Sequence, residues 1–378
     1  MLTDDATQGS VAKRPRRDPP LDTKRKHVDH ADHADDEDTA KELPRAVLRS
    51  GLGGGLWSVA SSSTGYIAAG SGCTAVRIWA AETGKCVQTL SGHLDTVSSV
   101  AFSLDGCLLA SGSLDRTIRI WDVSCPGMSL VATPCTICYD DGAVSSVAFN
   151  PRGKTLASGG NTFGEIMIWT VATGTCIRTL IGSTLRPVLS VAFCPDGQTL
   201  ASASADTTVR MWDVTSGQCT RTLEGHSNHV NSVKFSPNGR TLVSGSTDRT
   251  VRIWNAKDGT CVRVLGGEAD EADEADEADE ASNGNCMRAI GHCQSVCSVA
   301  YSPDGCVVAS GSEDKTVKVW NPKTGECMQT LQGHSNGVTD VVFSPDGQTL
   351  YSVSMGGDIH RFEERRLNTT CIPFRLIK

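Results

Sequence analysis

Three residues in the first third of the chain carry the side chains of a hydrolase triad. Ser111 follows His93 by eighteen residues, and Asp115 follows four residues later. A histidine that accepts a proton from a serine hydroxyl, oriented by an aspartate, is the arrangement that turns serine into a nucleophile. The first hypothesis from these residue types is therefore acyl-transfer chemistry.

The same residue types recur at identical separations in two other parts of the chain, and each time a tryptophan follows. The three sets are His93, Ser111, Asp115, Trp121; His226, Ser244, Asp248, Trp254; and His292, Ser310, Asp314, Trp320. One enzyme has little use for three equivalent triads. The recurrence favours a structural role for these residues, and we predict no catalytic residue among them.

The tryptophans mark an internal repeat that extends over most of the chain. They end alternating apolar stretches such as Thr250–Trp254, which are typical of strands. A turn such as Ser236–Gly239 precedes each stretch, and Thr-Gly-x-Cys, as in Thr324–Cys327, follows it. The repeated positions are Trp79, Trp121, Trp169, Trp212, Trp254, Trp320 and, in the same role, Phe362. Each repeat therefore predicts four short strands.

This unit, with its Gly-His pair and closing Trp-Asp, resembles the WD repeat from about residue 43 to the C-terminus. The resemblance implies an all-β fold, a seven-bladed β-propeller of four-stranded antiparallel blades. It also implies a structural tetrad, in which the aspartate of a tight turn holds the histidine, and the histidine holds the serine and the indole. We expect residues 43–378 to form this propeller.

Some repeats depart from the pattern, and we expect their blades to be less rigid at that edge. Residues 161–164 replace the turn aspartate before Trp169, and Gly356 replaces it before Phe362. Gly182 and Ser183 stand where another repeat has Gly-His. The first blade is the most degenerate, with Cys73 in the position of the aspartate.

Residues 1–42 lack hydrophobic periodicity, and we predict a disordered tail. Two basic clusters in it resemble a two-part nuclear import signal, and the alternative is a generic basic tail. The import candidates are Lys13, Arg14, Arg16, Arg17, Lys24, Arg25 and Lys26. The predicted location is nuclear, and otherwise cytoplasmic.

An acidic run at 268–281 explains one long spacing between repeats. It holds nine acidic and no basic residues, so the rest of the chain has a formal net charge of +1 against −8 for the whole. We predict an acidic loop inserted in the propeller. Both Cys261–Leu265 and Cys286–Ile290 resemble the outer strand of that blade, and we favour Cys261–Leu265, which places the loop on the face that bears the Gly-His pairs. For ring closure, Leu43–Leu48 and Cys371–Phe374 compete, and we favour the N-terminal segment because Pro373 lacks an amide donor.

Composition and motif spacing argue against several further classes of function. No apolar stretch is long enough to span a membrane, and we expect no membrane partner. The CxxC at Cys135–Cys138 has no second pair at zinc-finger spacing, so we predict no metal and no cofactor. Without an apolar signal segment, the sixteen cysteines are expected to be reduced thiols that pack as small hydrophobic groups.

The resemblance favours a non-catalytic scaffold that presents propeller loops to peptide or domain partners, as a monomeric ring within a larger complex. We expect protein partners, no small-molecule substrate and no direct contact with nucleic acid. Candidate partner-binding residues are Asp95, Arg186, Asn228, His229, Gln294, Glu313 and Asn336. The alternatives are a substrate receptor of a ubiquitin ligase and, less favoured, an enzyme that uses the propeller channel.

Overall fold

Short strands joined by turns and loops make up the chain wherever its structure is described. The computed structural model describes residues 48–49, 54–124, 135–138, 142–160, 162, 164–182, 185–266, 291–363 and 375–376. Expectations for the tail at 1–42, the acidic run at 268–281 and the positions Asn161 and Phe163 lie outside these residues. Within them, every regular element is a β-strand.

The strands form seven antiparallel sheets, which we number as blades 1 to 7 in chain order. In each blade the first strand is innermost and the chain proceeds outwards strand by strand. The bounds are Leu56–Ser61, Tyr66–Ser71, Val76–Ala80, Cys86–Leu90 (blade 1); Val97–Phe102, Leu108–Ser113, Thr117–Asp122, Cys135–Cys138 (blade 2); Val144–Phe149, Thr155–Gly160, Glu165–Thr170, Cys176–Ile181 (blade 3); Val188–Phe193, Thr199–Ser204, Val209–Asp213, Cys219–Leu223 (blade 4); Val230–Phe235, Thr241–Ser246, Val251–Asn255, Cys261–Leu265 (blade 5); Val296–Tyr301, Val308–Ser312, Val317–Trp320, Cys327–Leu331 (blade 6); and Val338–Phe343, Thr349–Ser354, Asp358–Glu363 (blade 7). The predicted seven-bladed propeller is confirmed.

Blade 7 is completed by both ends of the chain. Leu48–Arg49 pairs with Asp358 and Ile359, and Arg375–Leu376 pairs with Phe362 and Glu363. The two short segments pair with different parts of the strand Asp358–Glu363, so both can be present at once. The favoured N-terminal segment does pair in blade 7, and Arg375–Leu376 adds a second pairing that the sequence did not predict.

The hydrophobic core is divided among the seven seams between neighbouring blades. At one seam, Val243 and Ile253 of blade 5 pack with Val296 and Trp320 of blade 6. The closing seam has the same construction, with Trp79 of blade 1 in a cluster with blade 7 residues. Burial of the Trp and Phe positions against the preceding blade explains why the sequence repeats them.

A ring of side-chain hydrogen bonds joins the inner strands at all seven seams. In six blades a serine at the third position of the inner strand accepts the amide N–H of a valine in the next blade, at 3.0–3.3 Å. At the closing seam the acceptor is Asp340, whose Oδ2 lies 2.8 Å from Val59 N. The serines are Ser58, Ser99, Ser146, Ser190, Ser232 and Ser298.

The cysteines only partly follow the expectation from sequence. Ten of those in the described residues are free thiols. Cys86, Cys176, Cys219 and Cys261 are exposed on outer strands, so the expectation that they pack as small hydrophobic groups is wrong. Cys293 is disulfide-bonded, so the expectation of a fully reduced chain is also wrong.

Candidate functional site

The three recurring residue sets form three equivalent hydrogen-bond networks, in blades 2, 5 and 6. The histidine Nδ1 lies 2.9, 2.6 and 2.8 Å from an oxygen of its aspartate. The histidine Nε2 lies 2.7 Å from the serine Oγ in each network. The tryptophan Nε1–H donates to the same serine oxygen at 2.8 Å.

The serine, and not the histidine, holds the indole in these networks. Because Ser Oγ accepts the indole N–H, its own hydrogen is available to the histidine Nε2, and the histidine N–H at Nδ1 then donates to the aspartate. The histidine ring only meets the indole edge-on, with centroids 6.0–6.4 Å apart. The expected direct link from histidine to indole is replaced by this serine bridge.

The burial of these networks indicates a structural role. Ser111, Ser244 and Ser310 are fully buried, at 0% exposure, and each oxygen is engaged by two neighbours. Burial acts to raise the pKa of Asp115, but hydrogen bonds from Thr117, the Leu94 amide and His93 outweigh it and bring the pKa to about 2. A substrate carbonyl has no access to a serine in this position, so the geometry does not provide the nucleophile of a hydrolase.

In blade 4, whose loop has no histidine, an arginine of the third strand holds the turn aspartate. Arg210 Nη1 lies 2.6 Å from Asp206 Oδ2, and both side chains are almost completely buried. The other oxygen of Asp206 accepts the backbone N–H and the hydroxyl of Thr208. The turn aspartate is therefore held in blade 4 as firmly as in the blades that have a histidine.

Blade 7 keeps the histidine and the serine but lacks the aspartate. His334 Nε2 lies 2.6 Å from Ser352 Oγ, whereas His334 Nδ1 is buried with no hydrogen-bond partner among the described residues. His360 stacks on His334 with ring centroids 3.8 Å apart. Burial, together with the charge of His360, lowers the pKa of His334 to about 3. This blade holds an incomplete network around a neutral histidine.

The central channel is lined by the inner strands of all seven blades and encloses about 520 Å³. Both carboxylate oxygens of Asp340, which lines the channel, are hydrogen-bonded to the channel wall. Oδ1 accepts from Ser298 Oγ and Val341 N, and Oδ2 accepts from Val59 N. Burial raises the pKa of the Cys297 thiol to about 12, so this group remains protonated. Both side chains act as parts of the wall.

The loops that enter the inner strands share one end of the propeller with the turns that hold the network aspartates. We call this end the Gly-His face; it comprises residues 91–96, 185–187, 224–229, 291–295 and 333–337 together with the turns 114–116, 205–207, 247–249, 313–315 and 355–357. The predicted partner-binding residues, all exposed there, are Asp95, Arg186, Asn228, His229, Gln294, Glu313 and Asn336. Arg186, Asn228 and His229 line one pocket, which the other four do not.

The outer strand of blade 5 ends at Leu265, as the sequence favoured, and the next described residue after Gly266 is Gly291. The ends of the acidic insertion thus lie on the Gly-His face. A methyl group added at Gly266 would come within 2.7 Å of Gly291 Cα, so the two ends lie against each other.

Sequence reasoning missed the Asp206–Arg210 pair, the stacked His334 and His360, and the role of Asp340. The signal for the seam ring was present, because the third residue of every inner strand is Ser or Asp. Apolar side chains on the Gly-His face were also missed: Leu94 is 86% exposed, and Leu114 and Met355 are exposed in the turns. In the described part of the chain, no group of three or more His, Cys, Asp or Glu residues stands ready to hold a metal ion. The described part of the chain also contains no helix of the length and apolar character that a membrane span requires.

Comparison with known proteins finds one family along most of the chain. Six segments match the family described as WD domain, G-beta repeat: residues 84–122, 133–163, 174–213, 217–255, 284–321 and 325–362. The first three strands of blade 1 fall outside these matches, in agreement with the degenerate sequence expected there.

Curated relatives align with about three quarters of the chain. The chain is 34% identical over 302 residues to nuclear distribution protein PAC1 of Arthroderma otae, a match that covers 76% of this chain and 54% of that protein. It is 33% identical over 320 residues to PAC1 of Arthroderma benhamiae, with 79% and 67% covered. It is 31% identical over 292 residues to nuclear distribution protein nudF of Aspergillus niger, with 76% and 54% covered. The chain thus spans about half to two thirds of the length of these relatives.

Proposed function

The chain belongs to the WD-repeat family, and on that premise we propose that it is a non-catalytic protein-protein interaction scaffold whose Gly-His face binds peptide or domain partners. The observation that carries this proposal is the contrast between the buried networks and the loops around them. The polar groups of the networks are satisfied inside the blades, whereas the loop side chains beside them are exposed.

The exposed side chains are of the kinds that interfaces use. Leu94, Leu114 and Met355 present apolar surface on the same face as exposed polar groups such as Gln294 and Asn336. Apolar anchors surrounded by polar groups are typical of protein-binding surfaces. The partner-binding residues predicted from sequence are therefore retained as candidates.

We extend the proposal to location through the N-terminal tail. Its two basic clusters support nuclear import of a protein that works within a multiprotein complex. The name nuclear distribution protein belongs to the relatives, and the interaction role proposed here rests on the WD-repeat family and on the Gly-His face.

The test compares two full-length variants by affinity capture and mass spectrometry. In the first variant, four side chains of the Gly-His face become alanine: Asp95, Asn228, Gln294 and Asn336. In the matched control, four exposed side chains of the opposite face become alanine: Leu104, Lys154, Gln198 and Gln348. Both variants are first shown to melt as the wild type does.

We expect the first variant to lose partners that the control retains, because only the first alters the proposed binding face. Equal partner sets in the wild type and both variants, or equal losses in the two variants, would contradict the proposed function.

A further inference from the structure

A surface pocket of about 520 Å³ lies between blades 4 and 5 on the Gly-His face. The loop Leu185–Pro187 and the turn 205–207 of blade 4 form one side, and Asn228 and His229 of blade 5 form the other. The pocket has a size that suits one or two side chains of a peptide.

The carboxylate in the pocket wall is already neutralised. Asp206 forms an ion pair with Arg210 at 2.6 Å and accepts two hydrogen bonds from Thr208. Arg210 therefore supplies, beneath the pocket, the positive charge that balances Asp206. An incoming anion is spared the repulsion of an uncompensated aspartate.

The remaining polar groups of the pocket are mostly donors or cations. Arg186 is exposed and has no ion-pair partner in the part of the chain that the structure describes. Asn228 Oδ1 accepts the His229 amide N–H at 2.8 Å, which leaves the amide nitrogen of Asn228 as its available group. These groups fit an anion better than a cation.

Apolar surface lies directly beside the positive charge. Leu185 precedes Arg186 in the chain and is 76% exposed, and Ala205 lines the same pocket. A ligand that places an apolar group on Leu185 brings its neighbouring residue close to Arg186.

We propose that this pocket binds an acidic side chain of a partner peptide, a carboxylate or a phosphate, with an adjacent apolar side chain on Leu185 and Ala205. The proposal rests on the proposed function and specifies the chemistry of one contact. Charge complementarity with Arg186 selects the acidic residue, and Leu185 fixes its register.

The experiment measures binding of full-length protein to three synthetic decapeptide pools, labelled with fluorescein, by fluorescence anisotropy. The pools carry Leu-Glu, Leu-phosphoserine or Leu-Gln at the centre and the same random residues elsewhere. We expect the Glu or the phosphoserine pool to bind about fivefold more tightly than the Gln pool, the ratio that a partly exposed ion pair gives. Whichever acidic pool binds more tightly identifies the anion.

Two matched variants locate the effect. Arg186→Gln should abolish the preference for the acidic pools, whereas Arg116→Gln removes the same charge from the same face two blades away and should retain it. Arg116 is an exposed turn residue of blade 2 with no side-chain ion pair in the described residues. Equal binding of all three pools, or equal behaviour of the two variants, would overturn the proposal.

The two proposals fail separately. If affinity capture depends on the Gly-His face but the pools bind equally, only the acidic-peptide pocket is contradicted. If capture shows no dependence on that face while Arg186 still governs pool binding, the scaffold proposal fails and the pocket remains.

Discussion

Asp340 Oδ2 lies 2.8 Å from the amide nitrogen of Val59 and joins blade 7 to blade 1. The corresponding link at the other six seams uses a serine hydroxyl. A carboxylate reaches farther than a hydroxyl and has a second oxygen, which here accepts from Ser298 Oγ and Val341 N. One side chain therefore connects three blades at the place where the ring closes.

Asp340→Ala should lower the free energy of unfolding by about 2 kcal/mol or more, because Val59 N and Ser298 Oγ lose their acceptor and Val341 N keeps only Ser298 Oγ. Asp340→Ser should cost less, since it supplies the hydroxyl used at the other seams. Ser232→Ala, which removes one neutral acceptor from a different seam, serves as the control and should cost about 1 kcal/mol. Urea unfolding measures all three, and a loss for Asp340→Ala no greater than for Ser232→Ala would contradict the special role of Asp340.

Asp248→Ala should destabilise the protein by about 1 to 3 kcal/mol, because His226 loses its partner at Nδ1 and the turn loses the bonds to Thr250. Asp258→Ala is the matched control in the same blade; this exposed carboxylate bonds only within its own turn and Asn255, so its loss should cost less. Thermal melting compares the two. Unchanged stability of Asp248→Ala, combined with loss of a hydrolytic activity present in the wild type, would restore the enzyme hypothesis.

Gly356→Asp should stabilise blade 7 by about 1 kcal/mol at pH 7.5, because it supplies the carboxylate that His334 lacks. The backbone at Gly356 is outside the left-handed region, and a new Cβ would meet Asn336 Nδ2 at 2.9 Å, which is the movable end of an exposed side chain. Gly356→Ala is the control, since it adds the Cβ without the carboxylate. Equal melting temperatures for the two variants would contradict the prediction.

The same variants also test the pH dependence of stability. Since burial lowers the pKa of His334 from 6.5 to about 3, the unfolded chain binds a proton between these values while the native protein does not. This histidine therefore makes wild-type stability decrease as pH falls below 6.5, by about 2 kcal/mol at pH 5. The decrease should be smaller in Gly356→Asp, because a carboxylate raises the pKa of the histidine, and it should be unchanged in Gly356→Ala.

The propeller itself was predictable from sequence because its determinants repeat. Trp121, Trp254 and Trp320 occupy the same place in blades 2, 5 and 6, and so do the serines and turn glycines around them. Because the pattern repeats, features that occur in a single repeat can be separated from those that define the fold. The number of strands in each blade and the number of blades can therefore both be predicted.

The features that sequence reasoning missed are contacts whose formation depends on other parts of the folded chain. Arg210 pairs with Asp206 because the histidine is absent from a loop more than twenty residues upstream, and no local pattern in Val209–Asp213 records this. The shared edge of blade 7 was also missed, because two short segments at opposite ends of the chain pair with different parts of one strand. Such contacts depend on the closed ring and not on local propensity.

Neutralising the seven basic residues of the tail should move a tandem fluorescent-protein fusion from the nucleus to the cytoplasm. The residues are Lys13, Arg14, Arg16, Arg17, Lys24, Arg25 and Lys26. A control in which Lys154, Arg240, Lys257 and Lys323 of the propeller surface are neutralised should leave the distribution unchanged. The nuclear-to-cytoplasmic fluorescence ratio is the measurement, and an unchanged ratio in the tail variant would reject the import signal.

Deleting the acidic run 268–281 should leave the propeller stable and alter only its association with charged partners. The insertion joins Gly266 and Gly291, which lie against each other, so a shorter loop closes the same gap. Because closure entropy grows only with the logarithm of loop length, the change in unfolding free energy should be less than about 1 kcal/mol. The residues that flank the run lie on the Gly-His face, and a run of nine carboxylates attached there is expected to repel anions and attract cations. We therefore expect the deletion to strengthen binding of the Leu-Glu pool and to weaken binding of an oligolysine probe at 0.1 M salt. Both effects should fade at 1 M, where the Debye length falls from about 10 Å to about 3 Å.

Two outcomes would contradict this prediction. A loss of several kcal/mol in thermal melting would show that the run packs on the propeller. Binding unaffected by both deletion and salt would show that the charge of the run has no influence on partners.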